Sequence, residues 1–154
     1  MSDEYINARS GAIRHIGIST YSSGKIRDFL INKGYSYDIS KDVVAELVKR
    51  GYIDDIKASR VALLSRTGKK QESKDYLLKR LLSAGIDEFV AEDYVYELPS
   101  DSETIISLYS SLYPNGIDLN NDENRIEALK YASKRGYSFE IAQSGLKKWL
   151  DNIQ

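Results

Sequence analysis

The chain has 154 residues, of which 42% are hydrophobic and 29% charged, with two prolines and no cysteine, a composition that excludes collagen-like, low-complexity and disulfide-stapled proteins. Its 22 basic and 23 acidic side chains leave a net charge of −1, so any electrostatic recognition has to come from where the charges sit. The lack of cysteine and the single histidine remove thiol catalysis, cysteine-based zinc sites and most histidine-based metal and triad chemistry. The apolar runs, such as Val61 to Leu64, fall far short of the roughly 20 residues that cross a bilayer. The start, Met1-Ser2-Asp3-Glu4-Tyr5, has neither the basic nor the apolar stretch of a secretory leader, and the expectation is a cytoplasmic protein without membrane contact.

Taken in chain order, the elements are timed by glycine. Gly17, Gly34, Gly51, Gly68 and Gly85 follow one another at steps of 17, and Gly136 lies three further steps on. Glycine is the preferred residue just past a helix C-terminus, so each step reads as one helix of about 13 residues plus a short turn. Near position 102, Leu98-Pro99 ends one helix and a capping box, Ser100 to Glu103, opens the next. Pro114-Asn115-Gly116 stops that helix, residues 117 to 121 form the one real loop, and Asp122-Glu123 begins another helix with favourable negative charge. The sequence predicts an all-α protein of nine short helices with almost no loop between them.

A longer period of 51 residues groups the helices in threes. Superposing Gly34, Gly85 and Gly136 aligns Ile26, Leu77 and Ala128; Leu30, Leu81 and Ala132; Ile39, Val90 and Ile141; Val44, Val95 and Leu146; and Leu47, Leu98 and Trp149. All five columns are apolar at helical spacing, so they mark the faces that pack. Ile13-Ile16, Val61-Leu64 and Ile105-Leu108 supply an apolar stripe in the first helix of each unit. The expectation is three tandem three-helix repeats, 1–53, 54–98 and 99–154, in an elongated, curved monomer whose neighbours support one another.

Charge is distributed unevenly. Residues 1–55 are neutral, 56–80 carry +6, 81–121 contain eight acids and no base, and 122–154 carry +1. Such a bipolar middle gives a partner orientation as well as attraction.

Candidate chemistry is sparse. Gly24-Lys25 and Gly68-Lys69 lack the upstream glycine of a phosphate loop, having Ser19 and Leu63 in its place. The run Asp118 to Asp122 begins like a calcium loop but places Glu123 where glycine is needed and Leu129 where the bidentate acid is needed, so it reads as a helix-capping loop. His15 has no second histidine near it. Asp54-Asp55 stands at a helix junction, where aspartate ordinarily caps. Tyr35 and Tyr137 each follow a helix-ending glycine and read as side chains packed back on the last turn, and Trp149 reads as core. No catalytic residue, metal or cofactor is expected.

The central stretch resembles a known family. Lys33-Gly34-Tyr35-Ser36, then Val44 and Leu47, then Gly51-Tyr52-Ile53-Asp54-Asp55, then Arg60 and Ser65-Arg66 is similar to the signature of the RecX family of recombinase regulators. Gly85-Ile86 and Lys134-Arg135-Gly136-Tyr137-Ser138 recur where the second and third units of that family place them. The resemblance covers the full length. It implies three tandem three-helix units and a non-enzymatic protein of DNA repair, recombination and the SOS response. Such a protein binds the RecA recombinase, chiefly as a filament on single-stranded DNA, and limits filament growth, ATP hydrolysis and strand exchange. A curved helical body would lie along the filament groove.

With that partner, the charge map selects Arg60, Arg66, Lys69, Lys70, Lys74 and Lys79 as the partner-facing set, and Lys134, Arg135, Lys147 and Lys148 as a second one. Their role is charge-assisted contact with acidic recombinase surface or with exposed phosphate of single-stranded DNA. Two other readings compete. A direct DNA binder needs basic third helices, whereas residues 87–97 contain no cation; a generic protein-binding helical scaffold needs an apolar groove.

Overall fold

A computed structural model describes residues 2–153, and among these the chain is all-helical, with nine α-helices and no strand. The helices are α1 (Asp3–Ile16), α2 (Ser23–Asn32), α3 (Tyr37–Lys49), α4 (Asp55–Leu63), α5 (Lys74–Ser83), α6 (Glu88–Tyr96), α7 (Asp101–Leu112), α8 (Asp122–Lys134) and α9 (Phe139–Ile153). The Ser2, Ser22, Ser36 and Ser100 hydroxyls each accept from a backbone N–H in the first turn that follows, and Asn121 does the same for α8, which satisfies donors that a helix start leaves open.

Four helix ends share one geometry. At Gly34, Gly51, Gly85 and Gly136 the glycine N–H donates to the carbonyl three residues back, and the next N–H donates to the carbonyl five back, as in Tyr35 N to Leu30 O at 3.2 Å. This double bond pattern requires the positive φ that all four glycines have. The apolar side chain after the glycine folds back onto the last turn, so Ile86 and Tyr137 are buried and Tyr35 is half-buried, while Tyr52 stays exposed.

The five apolar columns lie where their spacing puts them. Every member of the first, second and fourth is buried, every member of the third is half-buried, and in the fifth Leu47 and Trp149 are buried with Leu98 half-buried.

Two expectations need correction in the α4 region. Gly68 does not end a helix: α4 stops at Leu63, and residues 64–73 hold only a single 3-10 turn, Gly68–Lys70. Ser65 and Thr67 compete for backbone hydrogen bonds and so favour a turn over another helical turn. Val61 and Leu64 do not form an apolar inner stripe either; both are exposed, and α4 buries Asp55, Ala58 and Ser59, which share one face at helical spacing.

The chain forms two compact units, one of residues up to Ala62 together with Arg80–Tyr94, the other of Leu63–Lys79 and the residues from Val95 onward. The expected middle repeat, 54–98, is thus divided between them. The core of unit 1 includes Ala8, Ala12, Ile26, Leu30, Val43 and Leu47 from α1, α2 and α3. Across α1 and α3, Tyr5 Oη donates to Glu46 Oε2 at 2.5 Å and Arg9 Nε to Oε1 at 3.0 Å, and the Tyr5 bond above all holds the Glu46 carboxyl below its ordinary range. The core of unit 2 is built from Ile105, Leu108, Tyr109, Leu146, Trp149 and Leu150, closed by Ala128 and Ala132 of α8.

One joint holds the far elements of unit 1 together. Ser22 Oγ donates to Ala84 O at 2.7 Å, and Gly24 N donates to Gly85 O at 2.8 Å. Buried Asp55 completes it: Oδ1 accepts from Ser23 N at 2.8 Å, and Oδ2 accepts from Ser23 Oγ at 2.6 Å and from Asp87 N at 3.0 Å. The backbones meet so closely that a methyl on Gly24 would lie 2.7 Å from Gly85 O, and one on Gly85 would lie 2.6 Å from Ser22 Oγ. A related joint occurs in unit 2, where Ser73 N donates to Arg135 O at 3.0 Å and Lys74 N donates to Asp101 Oδ1 at 2.8 Å. Ser73 and Gly136 are the residues 51 positions beyond Ser22 and Gly85.

Candidate partner-binding surface

The unit 2 joint brings one segment of each predicted basic set together. Lys69 and Lys70 lie on the 3-10 turn just before Ser73, while Lys134 and Arg135 end α8; the Ser73 N to Arg135 O bond therefore fixes the two segments side by side. Tyr137 anchors the junction from below, buried, with its hydroxyl 2.8 Å from Thr104 Oγ1. Burial pushes the Tyr137 phenol up to about 12. Because the folded state holds that proton more tightly than the unfolded chain does, its contribution to stability is intact below pH 10 and lost as pH rises from about 10 towards 12. Alkaline titration is expected to show the junction loosening in that window, with Tyr137→Phe removing the corresponding component; the check is near-UV circular dichroism against tyrosinate absorbance.

The predicted cations differ in how freely they are presented. Lys69, Lys70, Lys134, Lys147 and Lys148 are exposed, and among the described residues none has a carboxylate partner. Lys74 is half-buried, its Nζ donating to Tyr96 O at 3.0 Å and lying 6.0 Å from the Tyr96 ring centre. Lys79 pairs with Asp75 one turn earlier at 3.1 Å and lies 5.4 Å from the Tyr76 ring. Arg135 is half-buried over the Tyr131 ring at 5.3 Å. Arg66 is half-buried beside the 3-10 turn, and Arg60 is exposed on the part of α4 that belongs to unit 1. The structure thus gathers nine of the ten into unit 2 and holds three of those nine, Lys74, Lys79 and Arg135, by internal contacts.

Three of the eight acids of residues 81–121 accept from backbone N–H groups. Asp87 Oδ2 accepts from Phe89 N and Val90 N, Asp101 caps α5, and Asp118 Oδ1 accepts from Asn120 N, so part of the −8 is balanced by backbone N–H dipoles. His15 is exposed and stacks flat on Phe29 with ring centres 3.8 Å apart. Among the described residues no group of three or more His, Cys, Asp or Glu is placed to hold a metal, and no helix is long and apolar enough to cross a membrane.

No protein-family profile matches the chain. The regulatory protein RecX of Clostridium tetani is 24% identical over 154 residues, spanning 96% of this chain and 69% of that protein. The regulatory protein RecX of Pelodictyon phaeoclathratiforme is 23% identical over 143 residues, or 91% of this chain and 87% of the other. The crystal structure of RecX from Lactobacillus salivarius has the same fold, with a TM-score of 0.69 at 17% identity over 97% of this chain and 98% of that one. The chain is similar to RecX regulatory proteins along nearly its whole length and shares their fold.

In this chain the segments that resemble the RecX signature do architectural work. Gly34 and Gly51 close α2 and α3, and Ser36 caps α3. The two aspartates of Gly51-Tyr52-Ile53-Asp54-Asp55 divide their tasks. Asp54 is exposed and caps α4, accepting from Ile56 N and Lys57 N at 3.0 Å, whereas Asp55 leaves its own helix and ties α2 to the start of α6. The Asp55 tie and the Ser22, Gly24 and Gly85 joint were outside the reach of sequence reasoning; the 51-residue offset between Ser22 and Ser73 was the one signal that pointed towards them.

Proposed function

We propose that the chain is a non-enzymatic regulator that binds the RecA recombinase in the cytoplasm, chiefly as a filament on single-stranded DNA, and limits filament extension, ATP hydrolysis and strand exchange. The RecX likeness over more than nine-tenths of the chain supports the regulatory role. The observation that carries the mode of binding is the meeting of two basic segments at the Ser73 and Arg135 joint, with Lys69, Lys70 and Lys134 exposed and unpaired beside it. Exposed, unneutralised cations on a fixed scaffold steer an acidic partner and set the contact register. Arg60, Arg66, Lys74, Lys79, Arg135, Lys147 and Lys148 complete the proposed partner-facing set. We also propose that residues 1–53, 54–98 and 99–154 form three tandem three-helix repeats.

The test is equilibrium binding to recombinase filaments assembled on single-stranded DNA. The combined Lys69→Glu, Lys70→Glu and Lys134→Glu variant is expected to bind roughly tenfold more weakly than the parent, chiefly through a slower on-rate. Unchanged affinity in the variant would refute the basic-face assignment. Affinity for naked single-stranded DNA equal to that for the filament, falling steeply with salt, would favour the direct DNA-binding reading.

A further inference from the structure

A cleft of about 530 Å³ opens in unit 1 between α1 and α2 and shares no residue with the proposed partner-facing set. Gly11 lies along it, in the interior of α1, where glycine is a poor helix former beside alanine. Nothing stands within 4 Å of where a methyl on Gly11 would sit, so close packing does not account for the glycine. What the missing methyl does is leave the α1 backbone open to the cleft.

None of the residues lining the cleft is acidic, while Arg14, His15 and Lys33 all line it. The Phe29 ring positions two of these: His15 lies flat on it with ring centres 3.8 Å apart, and Lys33 Nζ stands 5.6 Å from its centre. A ring face holds an ammonium in place without neutralising it. Arg14 and Lys33 are exposed and have no carboxylate partner among the described residues. The helix ends add little negative charge, because the Phe29, Leu30 and Ile31 carbonyls accept from the N–H groups of Lys33, Tyr35 and Gly34, and the Ile13 carbonyl accepts from Gly17 N. Of the acids on these two helices, Asp28 pairs with Arg27 at 3.9 Å. Asp3 and Glu4 stand one turn before Asn7, the first residue of α1 to line the cleft.

That pattern selects a compact anion. An extended nucleic-acid strand needs a track of cations, and one leaving this cleft along α1 would meet Asp3 and Glu4. A lone inorganic anion would leave most of the 530 Å³ unfilled, whereas ligands of nucleotide size occupy cavities of this order. The arginine fork and the lysine ammonium match the terminal oxygens of a phosphate, and the Asn7 amide and Tyr35 hydroxyl supply neutral donors along the wall. We propose that the α1–α2 cleft binds a nucleotide-sized phosphate ester, with its terminal phosphate against Arg14 and Lys33 and the remainder over Gly11. The assignment goes beyond the recombinase reading and does not rest on it.

Three probes separate the parts of the claim: ADP, adenosine, which lacks the phosphates, and citrate, which carries its charge on carboxylates. Each is titrated into the full chain labelled with nitrogen-15, at constant pH and ionic strength and with EDTA present. The expected result for ADP is saturable amide shifts confined to residues 7–15 and 29–35. Adenosine is expected to give none at the same concentration, and citrate to bind about fivefold more weakly than ADP. Arg14→Gln is expected to weaken ADP by about fivefold and Lys33→Gln by about threefold; both side chains are exposed, so neither variant threatens folding. Gly11→Ala gives a result that loss of folding cannot imitate. Its urea midpoint is expected to rise, because alanine favours the helix, while ADP binding weakens because the methyl occupies the floor.

ADP shifts centred on Lys69, Lys70 or Lys134, or unaltered in Arg14→Gln and Lys33→Gln, would overturn the assignment. So would adenosine or citrate binding as tightly as ADP, because the phosphate would then not be what is recognised. A thymidine oligonucleotide that shifts the same amides and binds more tightly than ADP would also overturn it, since the cleft would then hold a strand.

Discussion

Replacing Gly85 by alanine is expected to destabilise the protein by about 3 kcal/mol. Two costs combine. With φ at +86°, an L side chain sits in the left-handed region, which costs about 1 kcal/mol. The new methyl would also lie 2.6 Å from Ser22 Oγ and 3.1 Å from Lys25 N, so the joint that carries the Gly24 N to Gly85 O and Ser22 Oγ to Ala84 O bonds has to open, at about 2 kcal/mol more. Gly34→Ala is the control. Gly34 has φ of +101° but nothing within 4 Å of an added methyl, so its cost is the conformational part alone, about 1 kcal/mol. Urea denaturation separates the two as a shift in midpoint at constant slope. Equal losses for Gly85→Ala and Gly34→Ala would show that the joint contributes nothing to stability.

The second large effect is at Asp55. Asp55→Ala leaves Ser23 N, Ser23 Oγ and Asp87 N without their shared acceptor in a buried site. Hydrogen bonds to a charged acceptor contribute roughly 1.5–3 kcal/mol each and do not add independently, so a loss of about 3–4 kcal/mol is expected. Asp54→Ala, one residue earlier, removes only the exposed cap of α4 and is expected to cost about 1 kcal/mol. Hydrogen exchange gives the local signature: the Ser23 and Asp87 amides are expected to lose protection in Asp55→Ala and to keep it in Asp54→Ala. Equal destabilisation by the two substitutions would contradict the division of tasks between these adjacent aspartates.

What was legible in the sequence is what local physics determines. A glycine that must adopt positive φ announces a helix end wherever it stands, so Gly34, Gly51, Gly85 and Gly136 fixed four boundaries, and the apolar columns between them are buried or half-buried as their spacing required. Gly68 misled because the same residue type serves a 3-10 turn after a helix that ends early. The inner face of α4 was hidden for another reason. Its buried side chains, Asp55, Ala58 and Ser59, are polar or small, while the large apolar Val61, and Leu64 just past the helix end, are exposed, so size and hydrophobicity pointed to the wrong stripe. The roles of Asp54 and Asp55 depend on where the 84–87 turn arrives, which no local pattern encodes.

The candidate site was legible as composition and not as arrangement. The basic residues were visible, but their meeting across the Ser73 and Arg135 bond is a tertiary fact. Nothing local in the sequence marks that the Lys74 ammonium donates to the Tyr96 carbonyl.

The most direct test of the regulatory account is single-strand-dependent ATP hydrolysis by the cognate recombinase, with this protein titrated below one per recombinase monomer beside the Lys69→Glu, Lys70→Glu, Lys134→Glu variant. The account predicts strong inhibition at substoichiometric protein, because blocking growth at a filament end silences many protomers, and predicts that the variant needs roughly tenfold more protein for the same effect. Hydrolysis that is unaffected, or that falls only when the protein exceeds the available DNA sites, would contradict it.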